Sequence, residues 1–305
     1  MERREFLKKS LNLGLGVGLL FLPKGFRNGL SKALAEEKYP DLVALKGAAP
    51  EVMFDRGIAA LGGIGRFVKP GQTVVIKPNI SWDTPLEGAA NTSPALVARI
   101  VKHCLDGGAK RVWVMDHSIE YWENSLAGSG IGAAVKSAGG VYAPSEDAKY
   151  YQKIDVKGKV LKTTQIHETL LECDVLVSVP VLKHHGGAGV SIAMKNLMGC
   201  VWNRMDYHAQ GLQNCIADFL QARKPDLSVV DAWRVITRHG PRGGSASDVA
   251  EMKMQILSPD IVAADAASAK LLGREPADVP HIRFAAEAGA GEIDLTKLRI
   301  DRIVL

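Results

Sequence analysis

Short apolar runs recur along the chain and alternate with segments of helical spacing. Val74-Val75-Ile76, Val112-Trp113-Val114-Met115 and the run from Val175 to Val179 are continuous apolar stretches of strand length, the pattern of strands covered on both faces. Leu42-Val43-Ala44-Leu45 and Leu227-Ser228-Val229-Val230-Asp231 read the same way. Between them, Leu96, Ile100, Val101 and Cys104 recur at helical spacing within residues 94–105, and Gly107-Gly108 closes that segment. Pro50 opens another helix over 51–61. Further helices are expected over 192–198, 212–221, 261–272 and 282–288. Apolar strands alternating with helices imply parallel βαβ units with right-handed crossovers. The predicted fold is therefore α/β, a mainly parallel sheet with helices on both faces.

One stretch breaks this rhythm. In residues 149–165, Ile154, Val156, Val160 and Leu161 alternate around Lys157-Gly158-Lys159, which predicts a small antiparallel hairpin as an appendage to the sheet. No repeat and no Pro- or Ser-rich linker divides residues 36–305, which read as a single domain.

The polar residues fall where strands end. Lys77 and Asn79, Asp116 and His117, Lys183 and His185, and Asp231 each follow an apolar run, and in open α/β sheets ligands bind beyond the carboxyl ends of the strands. The densest segment runs from Val179 to His208. Its Gly186-Gly187-Ala188-Gly189 leads to Ser191, expected as the N-cap of a helix carrying Lys195 and Asn196. A glycine-rich approach to a helix start can turn several N–H groups toward an anion, which makes Gly187, Gly189, Ser191 and Asn196 candidates for binding a phosphate or carboxylate. A tight turn is the competing reading, and the spacing is neither a Walker A loop nor G-x-G-x-x-G.

Lys77, Lys183 and Lys195 bring positive charge to the same rim, and burial beside other cations would make one of them a nucleophilic amine. His117, His185 and His208 are candidate metal ligands or proton shuttles, although no H-x-x-x-H spacing pairs two of them on one helix face. Asn79, Asp116, Asp231 and Asp265 could orient these groups or bind hydroxyls, with capping and turn roles in competition. Arg242, in Gly240-Pro241-Arg242-Gly243-Gly244, could grip an anion bidentately or belong to a surface loop.

Charge and the first residues narrow the class. The formal charge is +5, and residues 1–35 already carry it: seven Lys or Arg stand there against Glu2 and Glu5, leaving a neutral remainder. Without a basic patch in that remainder, nucleic-acid binding lacks its main energy source. Arg3-Arg4-Glu5-Phe6-Leu7-Lys8, the apolar run from Leu11 to Leu22 and the closing Ala33-Leu34-Ala35 resemble a twin-arginine signal peptide. That implies export by the twin-arginine machinery, a periplasmic location and cleavage after Ala35. The apolar run is well short of the ~20 residues that span a bilayer, so no stable transmembrane helix is expected. Cys104, Cys173, Cys200 and Cys215 contain no C-x-x-C pair, which leaves no iron–sulfur or structural zinc spacing. Buried thiols are one reading of them. A Cys200–Cys215 disulfide is conceivable in an exported protein.

Several motifs in order carry a family resemblance: Ile76-Lys77-Pro78-Asn79, Pro180-x-x-Lys183-x-His185, Met194-Lys195-Asn196-Leu197-Met198-Gly199, His208, Asp218, Lys224-Pro225, Val230-Asp231-Ala232, Gly240-Pro241 and Asp260-x-Val262-Ala263-x-Asp265. The set resembles the domain of unknown function 362 family over nearly all of residues 36–305. Fusion of that family to ferredoxin-type modules implies redox contexts and a redox partner protein. A more distant resemblance is to the nickel-pincer lactate racemases, in which a His precedes a glycine-rich turn and then a Lys that attaches to the cofactor. His185 and Lys195 stand at a similar spacing, His117 looks like that family's earlier catalytic His, and His208 like its later metal ligand. Ile192-Ala193 replaces the family's double glycine, and no His-Arg pair follows the strand.

Two functional readings follow. In one, an exported enzyme uses Lys195, Lys183 and His117 for chemistry on a small anionic substrate or phosphate-bearing cofactor. Lys77, Asn79, Gly187, Gly189, Ser191, Asn196 and Asp231 line the binding site, and His185 and His208 hold a transition metal or act as acid and base. In the other, the same site binds a cofactor, metal or small anion and delivers it to a redox partner without chemistry of its own.

Overall fold

The computed structural model describes residues 39–305, so the expected signal at 1–35 lies outside the described residues. Residues 40–305 form one compact unit.

The chain enters the sheet at β1 (Leu42–Lys46), crosses through α1 (Pro50–Ala60) to β2 (Thr73–Pro78), and through α2 (Pro94–Asp106) to β3 (Arg111–Val114). Two short helices, α3 (Trp122–Gly128) and α4 (Ile131–Ser137), lead to β4 (Val141–Tyr142). The expected hairpin follows as β5 (Tyr151–Asp155) and β6 (Thr163–His167), paired antiparallel in a sheet of their own. After α5 (Glu168–Glu172) come β7 (Val175–Val179), β8 (Val181–His185) and β9 (Gly189–Ser191). Helices α6 (Ala193–Asn196), α7 (Met205–Gln210) and α8 (Leu212–Asp218) precede the long strands β10 (Leu227–Ile236) and β11 (Val249–Ser258). The described chain closes with α9 (Ile261–Leu271), α10 (Pro280–Glu287) and β12 (Ile300–Val304).

The main sheet has the order β12-β1-β11-β10-β7-β2-β3-β4, with β8 and β9 branching from β10. Most of its pairings are parallel, and β11 runs antiparallel to both β1 and β10. Its central strands are buried on both faces. Val74 and Ile76 of β2 enter one core, with Phe54 of α1 and Ile100 of α2, while Val75 enters the other, with Leu176, Ile216 of α8 and Val262 of α9. This is why continuous apolar runs, rather than alternating ones, marked these strands.

Pro180 sets the geometry of the site. Proline has no N–H to give a ladder, and after it β8 leaves the β2 side of the sheet. The beginning of β10 pairs with β7 (Leu227 with Val177), and its later half pairs with β8 (Asp231 with Val181, Ile236 with Lys183). The sheet therefore forks between β7 and β8.

Three sequence expectations change here. The segment after Pro180 is strand rather than loop, and it returns as an antiparallel hairpin in which Lys183 opposes Ser191. Ser191 is thus a strand residue; the N-cap of α6 is Ile192, which makes no side-chain capping bond. The strand expected over 227–231 runs on to Ile236, and β11 and β12 add pairings that no apolar run announced, because the first half of β11 alternates half-buried and exposed positions.

Candidate functional site

A chain of buried polar contacts links β2, the end of β3, β8 and α6. Lys77, fully buried, donates to the Pro78 carbonyl at 2.7 Å and to Asn196 Oδ1 at 2.9 Å, and its ammonium forms an ion pair with Asp116 Oδ1 at 2.7 Å. Asp116 Oδ2 accepts the Ile80 N–H at 2.6 Å. Asn196 donates back to the Lys77 carbonyl at 3.0 Å, and its Oδ1 also accepts from Asn79 Nδ2 at 3.4 Å. Asn79 Oδ1 then accepts from Lys183 Nζ at 2.9 Å. Gly199 packs against Asp116 and Lys77 so closely that a Cβ there would overlap both side chains.

Acceptors and counter-ions separate the three lysines. Lys77 has two acceptors and, in Asp116, a counter-ion. Lys183, 2% exposed, has two, Asn79 Oδ1 and the Ala90 carbonyl at 2.6 Å. Two acceptors satisfy both protons of a neutral amine and leave its lone pair unused. Burial, with the charges of Lys195 and Lys77 adding to it, pulls the Lys183 amine down to about 7, so the neutral form is well populated at neutral pH. Lys195, at the third position of α6, has no hydrogen bond or ion pair among the described residues. Burial, then Arg204 and Lys77, bring it down to about 8.

The glycine-rich turn does not cradle an anion. The N–H groups of Gly187 and Ala188 both donate to His185 Nδ1 at 3.1 Å. The first N–H groups of α6 are also taken: Ala193 donates to Asp265 Oδ1 at 2.8 Å and Met194 to Oδ2 at 3.1 Å. A carboxylate of the chain itself stands where a bound anion was expected, so Gly187, Gly189 and Ser191 shape the hairpin that carries Lys183. Burial raises Asp265 to about 7.

The same hydrogen bonds decide the tautomer of His185. A ring nitrogen that accepts two N–H groups has its proton on the other nitrogen, so Nε2 of His185 is a donor. Burial, with Lys195, Lys183, His208 and His184 around it, pushes the ring down to about 3 and keeps it neutral. A metal-binding imidazole has the reverse arrangement, donating with its remote nitrogen. Among the described residues, no group of three or more His, Cys, Asp or Glu is placed to hold a metal ion. The expected metal pair His185 and His208 therefore does not fit a metal. His208 lies exposed on α7, its pKa lowered by partial burial and by Lys195.

His117 is built the opposite way. Its Nδ1 donates to the Val201 carbonyl at 3.0 Å, leaving the Nε2 lone pair available, and the ring stacks on Trp202 with centroids 5.0 Å apart and planes 1° from parallel. Burial lowers its pKa.

Arg204 was not singled out by sequence. Its guanidinium donates to the His117 carbonyl and to the Ser118 carbonyl at 2.8 Å, with no carboxylate in either contact, and partial burial lowers its pKa. The only cue was a lone Arg between Trp202 and His208. The site thus gathers Lys77, Lys183, Lys195 and Arg204 around one carboxylate, Asp116, which is paired with Lys77.

Asp231 does not join this group. Its oxygens accept Ser93 N–H at 2.8 Å and Trp233 N–H at 3.1 Å, and it lines a separate, mostly apolar cavity of about 240 Å³ with Ala49, Leu86 and Trp233. Arg242 pairs with Glu120 at 3.0 Å. The four cysteines are free thiols, Cys104, Cys200 and Cys215 buried and Cys173 half-buried, so Cys200 and Cys215 form no disulfide.

The family model of the Domain of unknown function (DUF362) matches residues 74–270, from β2 to α9. The chain belongs to the DUF362 family. All of the lysine site lies within the DUF362 match. A related protein is the thylakoid-associated protein sll1697 of Synechocystis, 26% identical over 244 residues that cover 75% of this chain and 72% of that protein. Two solved structures are similar to this DUF362 chain at a TM-score of 0.46. They are the lactate racemase apoprotein of Thermoanaerobacterium thermosaccharolyticum, 14% identical over 77% of this chain, and a protein from Thermotoga maritima, 10% identical over 78%. The chain spans 58% and 59% of their lengths.

Proposed function

We propose that this protein is an enzyme that holds a small anion, a carboxylate or phosphate ester, on Lys195 and Arg204 and exchanges a proton with it through Lys183. The observation that carries this reading is how the three lysines are partnered: Lys77 has two acceptors and a counter-ion, Lys183 two acceptors and no counter-ion, and Lys195 neither among the described residues. A half-buried ammonium without a partner is unfavourable, and an anionic ligand removes that penalty. Lys183 keeps both of its hydrogen bonds when it takes a proton and would lose at least one on becoming an imine, which favours a general base over a Schiff-base nucleophile. His117 Nε2 supplies a second proton acceptor, and His185 Nε2–H a donor to the bound anion. The surrounding positive charge stabilises negative charge that develops as the proton leaves.

Isothermal titration with inorganic phosphate, together with solvent-deuterium exchange into 2-hydroxy and 2-oxo acids, tests the reading. Lys195→Ala is expected to weaken phosphate binding about tenfold or more. Lys183→Met is expected to weaken phosphate binding less than Lys195→Ala does and to lose exchange. Binding without exchange in the wild type would favour the non-catalytic delivery reading, and unchanged binding in Lys195→Ala would remove the site.

The twin-arginine pattern at Arg3-Arg4, followed by the short apolar run from Leu11 to Leu22, supports export and work in the periplasm. Among the described residues no helix is long and apolar enough to cross a membrane. Replacing both arginines by lysine, Arg3→Lys together with Arg4→Lys, is expected to leave the protein in the cytoplasmic fraction.

A further inference from the structure

Apolar side chains flank the cationic site on two segments. Ile119 is 54% exposed, Tyr121 62% and Met205 69%. They make three of the seven large hydrophobic residues that stand exposed in the described chain; the others are Val52, Val141, Val304 and Leu305. Scattered exposed apolar residues need no explanation, whereas a group beside a charged site does.

The two segments are fixed next to each other. The guanidinium of Arg204, the residue before Met205, holds the carbonyls of His117 and Ser118, the residue before Ile119. The N–H groups of Ile119 and Glu120 donate to the Ser81 carbonyl at 3.3 and 3.1 Å. Ile119, Tyr121 and Met205 are thus held out by anchored backbone on either side of a cation. Lys195, whose charge is felt by and feels that of Arg204, lacks a counter-ion, and Asp116 is committed to Lys77.

Unpaired positive charge, with exposed apolar residues on the two segments that Arg204 joins, matches a molecule with an anionic head and a hydrocarbon body. We propose that the anion taken by this site is the head group of a monomeric amphiphile whose apolar tail lies over Ile119, Tyr121 and Met205. The inference rests on the anion-binding reading above and adds the class of molecule. Phosphate or carboxylate chemistry fits the head equally.

Calorimetric titration with methyl phosphate and with octyl phosphate below its micellar concentration tests it, on the wild type and on an Ile119→Ser, Met205→Ser double variant. The expected result is octyl phosphate binding at least about tenfold tighter than methyl phosphate, since each buried methylene multiplies affinity by about fourfold. The double variant should lose that gain and bind methyl phosphate as the wild type does. Equal affinities for the two esters, or a gain that survives in the double variant, would overturn the amphiphile proposal and leave the anion site standing. Failure of both esters to bind would overturn the anion site and the proposal together. Binding to phosphatidic acid vesicles with no gain for the monomeric octyl ester would overturn it in favour of a membrane surface.

Discussion

Asp265 accepts the N–H of Ala193 at 2.8 Å, so a carboxylate from α9 holds the start of the short helix that carries Lys195. Its pKa, raised to about 7 by burial, means that the folded protein binds this proton more tightly than the unfolded chain does. The contribution is fully present below the unfolded carboxylate range and is lost as pH rises through 7. Asp265→Asn does not titrate. Urea unfolding is expected to show the variant less stable than the wild type at pH 5, with the difference shrinking toward pH 8.

The Lys77 and Asp116 pair is buried on both sides. Removing one partner leaves an uncompensated buried charge, so Lys77→Met and Asp116→Ala are each expected to destabilise by about 3–5 kcal/mol. The double variant should lose less than the sum of the two. Denaturant melts of the three variants measure that coupling; strict additivity would show that the ions do not interact.

Lys195 gives the opposite sign from Asp265. Its folded pKa, about 8, lies below the ordinary lysine value, so the folded state binds its proton less tightly than the unfolded state. Wild-type stability therefore rises as pH goes from 8 toward 10.5, and below 8 the charged amine is a standing penalty. Lys195→Met is expected to be more stable than the wild type by about 1–2 kcal/mol at pH 7, with the gap closing by pH 10.5. Thermal melts across that range check it.

Anion affinity should follow the lysines and not the histidines. His185, pushed down to about 3, does not change charge across the neutral range, whereas Lys183 and Lys195 titrate at about 7 and about 8. Sulfate, whose own charge is constant, is expected to bind with steady affinity from pH 5.5 to 6.5 and to weaken progressively between 7 and 9. A break below 6.5 would assign the anion to a histidine instead.

At Gly199, a methyl group would press on Asp116 Oδ1 and on the Nζ of Lys77, neither of which has room to move away within its buried contacts. Gly199→Ala is expected to destabilise by about 2–3 kcal/mol or more. Its circular-dichroism melt, compared with that of Gly186→Ala, where nothing crowds an added Cβ, isolates the effect.

Strands β2 and β7 were legible because burial on both faces makes each an unbroken apolar run, and β3 because Val112 and Val114 are buried on either side of a half-buried Trp113. The hairpin of β5 and β6 was legible from the turn at Gly158, although Val156, Val160 and Leu161, read as its strands, lie in the connection between Asp155 and Thr163. β11 was not, because its first half carries Glu251 and Lys253 at exposed positions beside half-buried neighbours. In the site, Lys77, Asn79 and Lys183 stood out as polar residues at strand ends, and Lys195 and Asn196 as polar residues of the helix expected after the glycine-rich turn; contacts show that Lys77, Asn79, Lys183 and Asn196 meet. The role of Asp265 could not be read, since it comes from a helix some seventy residues further along the chain. Nor could the donor state of His185, which depends on two backbone N–H groups in the turn that follows it.

The fork made at Pro180 is a gap in the sheet's own hydrogen-bond ladder, sealed at its root where the Thr92 hydroxyl donates to the Val179 carbonyl at 2.7 Å. A site hollowed out of packed side chains depends on the residues around it, whereas this fork is drawn by the backbone. The side chains carried at the fork can therefore be exchanged while the fork stays in place, so related chains can change what they bind by substituting single residues without rebuilding the scaffold that holds them.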